Sequence, residues 1–371
     1  MKGLSRFFFG RKLPVAVDAE RGLQAAAEWL IRAQDAAGDG GVSAYYDAAK
    51  RRWAGAYPET TGYIIPTFFR YAEASGKAEY YERAVRMAAW ESDIQLPDGG
   101  VRAGTMDAPQ VVPTIFNTGQ VLFGWLAAWQ HTQDARFRES AVRAADWLVA
   151  AQDPDGVWRR FASPFATHTV NTYNTRVAFA LAKAGTELHE PRYLEAAVRN
   201  VQWALTQMHE NGWLENNDLE DNDRPLTHTI AYAIRGILEV GLLADSSHFV
   251  EVAGRMAHAV AKSQRGDGAL PGRLDSGWRA AARWSCVTGN AQMAIIWHRL
   301  ATQAADRFGL DAADRAIRFN LSIQDLTAAD MGVRGGMPGS HPRSGGYMRH
   351  RYPNWAAKFF MDAILLQQEA N

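Results

Sequence analysis

A carboxyl held rigidly at the start of a helix is the first feature of this sequence with chemical promise. Glu59 stands in Tyr57-Pro58-Glu59-Thr60-Thr61-Gly62-Tyr63, where Pro58 fixes the backbone just before it and a helix begins just after. A second titratable group, His228, stands in Thr227-His228-Thr229, and Tyr232 follows it one helical turn on. Beside His228 runs an acid loop, Glu215–Asp223, that contains Asp218 and Asp221. Two chemistries use such parts. Glu59 paired with Asp218 or Asp221 serves a glycoside hydrolase as acid and base, their separation deciding inversion or retention. In a uronate lyase or C5-epimerase, Asn or Arg neutralises the sugar carboxylate while a His or Tyr (His168, His228, Tyr232 or Tyr347) removes the C5 proton. Glu59 and His228, facing each other across a sugar-wide gap, are the pair expected to carry the reaction.

Further polar and aromatic residues gather at the same loop ends, beyond what core packing needs. Tyr63, Arg102, Asn117, His168, Asn171 and Asn174 are expected to bind substrate. Trp284, Asn290, Arg343, Tyr347, Arg349 and Asn354 join them from later in the chain. Aromatic rings stack on the C–H faces of sugars, while amides and charges bind hydroxyls. Arg102, Arg159, Arg273, Arg343 and Arg349 offer bidentate partners for carboxylates, so an acidic glycan is the expected substrate. Plainer roles compete. Asn117 and Asn174, each 27 residues after a repeat Trp, can simply cap helices. The run Asp218–Asp223 reads more readily as a solvated loop than as a carboxylate dyad. No His, Cys or carboxylate pair has ligand spacing on one helix, and one cysteine makes no thiolate cluster, so no metal is expected. Gly335-Gly336 and Gly345-Gly346 do not match a phosphate loop, so no nucleotide cofactor is expected either.

The elements that position these groups come from a repeat. Arg143–Trp158 reads as an amphipathic helix ending at Gln152, then a turn forced by Asp153-Pro154-Asp155-Gly156, then an anchoring Trp158. From Trp to turn glycine is nine residues in four copies, at 29→38, 90→99, 147→156 and 203→212. Gln264 to Gly268 adds a fifth copy, and Gln324 to Gly332 a fainter sixth. The Gln-containing turns should tie neighbouring units together. Each unit pairs a charged, amphipathic outer helix with a more apolar inner one, joined by a long loop. The inner helices are expected over residues 61–74, 116–130, 174–188, 230–243, 290–304 and 354–368, with strands confined to one or two short hairpins. Because the last inner helix is apolar with almost no tail, it needs a partner, which the first unit can supply. The expected fold is all-α, a closed (α/α)6 toroid over residues 18–371 after an extension of 17 residues. The long loops and six inner-helix N-termini then ring one mouth, which favours an anionic ligand.

The pattern in Arg143–Trp158 resembles the QW repeat of the terpenoid-cyclase and prenyltransferase α/α-toroid superfamily. Glycan-active hydrolases and lyases are similar in shape. The blocks YPETTGYIIPT, RPLTHTIAYAIRGILE, TGNAQMAIIW and YPNWAAKFF also look like a bacterial group encoded among polysaccharide genes. The resemblance implies a toroid; it does not carry over the cyclase chemistry, because neither Asp-x-Asp-Asp nor Asp-Asp-x-x-Asp is present. A zinc prenyltransferase is also disfavoured, since Trp284 stands where its Asp would precede Cys286. Lys+Arg and Asp+Glu balance at 40 each, so no overall field points to nucleic acid. One cysteine excludes an internal disulfide and fits a reducing compartment, and no apolar run is long enough to span a membrane. A cytoplasmic enzyme cleaving glycosidic bonds in a poly- or oligosaccharide is expected, with a non-catalytic glycan-binding toroid or a C5-epimerase as the alternatives.

Overall fold

The computed structural model describes residues 16–370. Its helices alternate between two rings. The outer helices are α1 (Ala16–Ala37), α3 (Ala78–Ile94), α5 (Ala135–Ala151), α7 (Pro191–Thr206), α9 (Ser247–Lys262) and α11 (Leu310–Ile323). The inner helices are α2 (Pro58–Ser75), α4 (Ile115–Thr132), α6 (Thr175–Glu187), α8 (Thr227–Leu243), α10 (Val287–Gln303) and α12 (Asn354–Ala370). Outer helices bury one stripe; in α5 it is Phe137, Ala141, Ala144, Ala145, Leu148 and Ala151. Inner helices are buried nearly all round, as in α8 from Thr227 to Ile234. Each inner helix packs on the next, and α12 packs on both α1 and α2, so the ring is closed. The expected (α/α)6 toroid is the observed one. Of the expected 17-residue extension, all but residues 16 and 17 lies outside the described residues.

The glutamine turns work as staples. Gln152 Nε2 donates to the Gly156 carbonyl of its own turn (3.0 Å) and to Ala196 on the next outer helix (2.9 Å). Gln95 and Gln264 repeat the pattern onto Ser140 and Ala312. Gln324 reaches Gly22 on α1 (3.0 Å) and so stitches the last unit to the first. Its turn acceptor is Gly335, not Gly332, and in the first unit Gln34 bonds Gly40 rather than Gly38. Both turns are longer than the strict repeat suggests. Gln207 departs altogether: its Nε2 donates only to the Thr206 hydroxyl. The turn glycine is required twice over. Gly156 has φ +91°, and a Cβ there would lie 2.4 Å from the Arg199 carbonyl.

Short strands close the loops. β1 (Tyr45–Asp47) pairs antiparallel with β2 (Arg52–Trp53) and with β5 (Arg351–Pro353), Tyr46 opposite Tyr352. β3 (Ser285–Cys286) pairs with β4 (Ser340–His341). Only β1–β2 is a local hairpin; the other pairings join distant loops. The β1–β5 ladder ties unit one to unit six, a second bond across the seam.

Candidate active site

Glu59 and His228 do not sit on loops beside their helices, as the sequence suggested. They are the second residues of α2 and α8, whose helices start about three residues earlier than expected. That place is repeated around the ring. Phe116 and Trp355 are the second residues of α4 and α12, and all four line one cavity of about 310 Å³ at the inner-helix N-termini. Tyr63 and Tyr232, one turn further in, form its floor, and Tyr57, Tyr173, Tyr347 and Phe165 complete an aromatic wall. Phe165 is 60% exposed, an open ring at the rim.

Among the described residues Glu59 is the only carboxyl that lines this cavity. Burial pushes its pKa up to about 7, against the Tyr57 hydroxyl, which donates to Oε2 at 2.5 Å and favours the ionised form. Near neutrality it is therefore a carboxylic acid within reach of losing its proton. His228 is driven the other way. Burial lowers its pKa to about 4, opposed by the bond from Nδ1 to Gln292 Oε1 at 2.7 Å. With that oxygen accepting, Nδ1 carries the proton and Nε2 is left as a free base. The Tyr232 ring lies 4.5 Å from the imidazole and the Tyr347 ring 5.6 Å from it.

The other expected acids are placed elsewhere. Asp218 is buried as a loop organiser: its carboxylate accepts from the amides of Leu226 (2.7 Å) and Glu220 (3.0 Å), and from the Thr229 hydroxyl. Asp221 pairs with Arg224 at 2.9 Å. Neither lines the cavity, so no second carboxylate faces Glu59 there.

Of the expected binding residues, Tyr63, Asn117 and Tyr347 line the cavity. Asn117 also donates to the Arg102 carbonyl at 2.8 Å, and neither it nor Asn174 caps a helix through its side chain. Asn290 accepts the Leu270 amide at 2.7 Å, and Asn354 donates to Ser43 and Thr60. Both tie loops to helix starts and lie outside the cavity lining. His168 sits in the loop before α6, bonded to Asn171 (2.8 Å), not at the place His228 occupies on α8. Trp284 covers the backbone of Gly272, Gly345 and Gly346. Among the described residues no Arg or Lys lines the cavity. Arg102 bonds Ala108, Arg159 pairs with Asp153 and Asp155, Arg273 with Asp218, and Arg343 with Tyr352; Arg349 is exposed. Cys286 is buried. No group of three or more His, Cys, Asp or Glu among the described residues is arranged to hold a metal ion. Sequence reasoning missed Phe116, Phe165, Trp355 and Gln292. The recurrent second position of each inner helix would have found Phe116 and Trp355.

A closed ring of six helical hairpins with one cavity at the inner-helix N-termini defines an (α/α)6 toroid. No protein-family profile and no curated protein sequence matches the chain. Solved structures do. An unsaturated glucuronyl hydrolase specific for heparin superposes with TM-score 0.77 at 16% identity, covering 96% of this chain and 98% of that one. The unsaturated glucuronyl hydrolase of Bacillus sp. GL1 gives 0.74 at 18% identity over 94% and 96%. Cellobiose 2-epimerase from Bacillus thermoamylovorans gives 0.73 at 11% identity over 94% and 99%. At these identities the likeness is one of fold. No described helix is long and apolar enough to cross a membrane.

Proposed function

We propose that the protein is a carbohydrate-active enzyme that breaks a glycosidic bond in an acidic oligosaccharide, with Glu59 as proton donor. The observation that carries this reading is the pairing, in one aromatic cavity, of a carboxyl with pKa about 7 and an imidazole kept neutral. A hydrolysis run by two carboxylates needs a second acid, which the cavity lacks. An unsaturated uronyl group, the substrate named for two of the similar structures, needs only one. Its C4=C5 bond is an enol ether. Glu59 gives its proton to C4, and the ring oxygen stabilises the cation left at C5. Water adds at C5, and His228 Nε2 takes the proton that this water sheds. The C5 hemiketal opens to a ketone, C1 becomes a hemiacetal, and its collapse to an aldehyde releases the alcohol. A weak base suffices because the cation is strongly electrophilic. The inner-helix N-termini around the mouth favour the sugar carboxylate in place of an arginine.

A second reading rests on His228 Nε2 alone: as an unprotonated base among sugar-stacking rings, it suits proton abstraction in an epimerase. One experiment separates the two. Acidic oligosaccharides, with and without a terminal unsaturated uronic acid, are incubated in H₂¹⁸O and in D₂O and followed by mass spectrometry. Loss of the unsaturated sugar with one ¹⁸O gained is expected. Deuterium uptake without cleavage would favour the epimerase, and bound but unaltered glycan a binding module.

A further inference from the structure

Tyr63 and Tyr232 have a second side. They also line a separate chamber of about 250 Å³ further down the lumen, and their buried hydroxyls have no hydrogen-bond partner of good geometry. The ninth residues of all six inner helices, among them Lys183, Arg235 and Asp362, line this chamber, together with Arg70, Arg176 and Lys358. Five of those side chains are cationic and one is acidic. The carboxylates behind them do not restore the balance. Arg235 and Arg299 share Glu239, and Arg70 and Lys358 share Asp362, with Glu369 taking Arg70 and Glu187 taking Lys183.

Arg176 is left over. Among the described residues it pairs with no carboxylate; its one hydrogen bond runs from Nε to the neutral Gln120 amide at 3.3 Å. The guanidinium lies over the Phe123 ring, 4.5 Å from its centroid, and the residue is only 6% exposed. Burial lowers its pKa only to about 10, so it stays charged near neutrality. A buried cation without a counter-charge is costly, and here it borders space large enough for a counter-ion. Access is from the face opposite the mouth, where the Arg70 and Lys183 side chains are 34% and 31% exposed.

We propose that this chamber binds a small oxyanion, a sulfate- or phosphate-sized ion or the carboxylate of a free sugar acid, held by Arg176 at the closed end and admitted past Arg70 and Lys183. The site does not depend on the chemistry assigned to Glu59.

Calorimetric titration of the full chain with sodium sulfate, and separately with glucuronate, at ionic strength held constant with chloride, tests it. Saturable one-site binding of at least one of the two is expected, and which one binds tells an inorganic ion from a sugar acid. Arg176→Gln should weaken that binding at least about tenfold and Lys183→Ala several-fold, because a charge-assisted contact is lost in each. Glu59→Gln should bind as the parent does. Absence of saturable binding of both anions, or unchanged affinity in both cation variants, overturns the proposal. Should Arg176→Gln fail to fold, Lys183→Ala decides, and undiminished binding there overturns it.

Discussion

Glu59 owes its affinity for a proton to the rings that enclose it, not to a second carboxylate, and this has two measurable consequences. The first concerns activity. If Glu59 is the acid and His228 the base, Glu59→Gln and His228→Ala should each lower kcat at least about a hundredfold, the low end for a lost general acid or base. In the parent, kcat should fall as pH rises through about 7, where Glu59 loses its proton, and again below about 4, where His228 gains one. Tyr57→Phe removes a donor that favours the ionised carboxyl, so it should move the upper limb to higher pH. The second concerns stability. A carboxyl whose pKa is raised by folding contributes stability that is complete below its ordinary value of 4.5 and lost as pH climbs to about 7. Parent and Glu59→Gln should therefore melt together near pH 4.5, while at pH 8 the Gln variant melts higher. Thermal scans at the two pH values check this.

At the scale of elements, the repeat made the hairpins legible and left the lumen obscure. The nine-residue phrase works as a sequence signal because the same Gln and Gly do the same local job in most units: one donates to two carbonyls, the other fits where no Cβ can. Gln152→Ala removes both of its staple bonds and strands two carbonyls, so chemical denaturation should register a loss of about 1–3 kcal/mol. Gln207→Ala, which breaks no such staple, should cost much less. The inner helices hide their orientation because they are apolar on every side, so periodicity gives no phase. Contacts between helices set that phase instead: a Cβ on Gly62 would meet the Val121 backbone at 2.5 Å, so α2 must turn that face to α4 and Glu59 inward. The acid loop misled for a related reason. Which amides Asp218 would serve depends on how the Asp218–Leu226 loop folds back, and spacing alone does not say that a carboxylate is already occupied.

For the whole molecule, closure makes the last helix a support for the first. α12 supplies Trp355 to the cavity, Lys358 and Asp362 to the chamber, and Asn354 to the loop around Ser43. Deleting residues 350–371 opens the apolar faces of α1, α2 and α10 at once. The truncated chain should lose its cooperative melting transition entirely, where an open solenoid would lose only its last unit. A melting curve that keeps the parent's midpoint would show that the ring holds without its seam. The toroidal plan was readable because an apolar terminal helix demands a partner, whereas the division of the lumen into two compartments was not. That division arises where side chains of non-neighbouring helices, Tyr63 on α2 and Tyr232 on α8, close over the same space.

A seam stitched by Gln324 and the β1–β5 ladder also means that the ring has no obligatory starting point. α1 packs on α12 as α3 packs on α2, and α2 is joined to α3 by no more than Gly76 and Lys77. Circular permutation follows: a chain that links residue 370 to residue 16 through a short flexible tether and opens at Gly76 exchanges one hairpin turn for another. Such a permutant should fold with the mouth cavity intact and keep the parent's activity, and its far-UV circular dichroism should match the parent's.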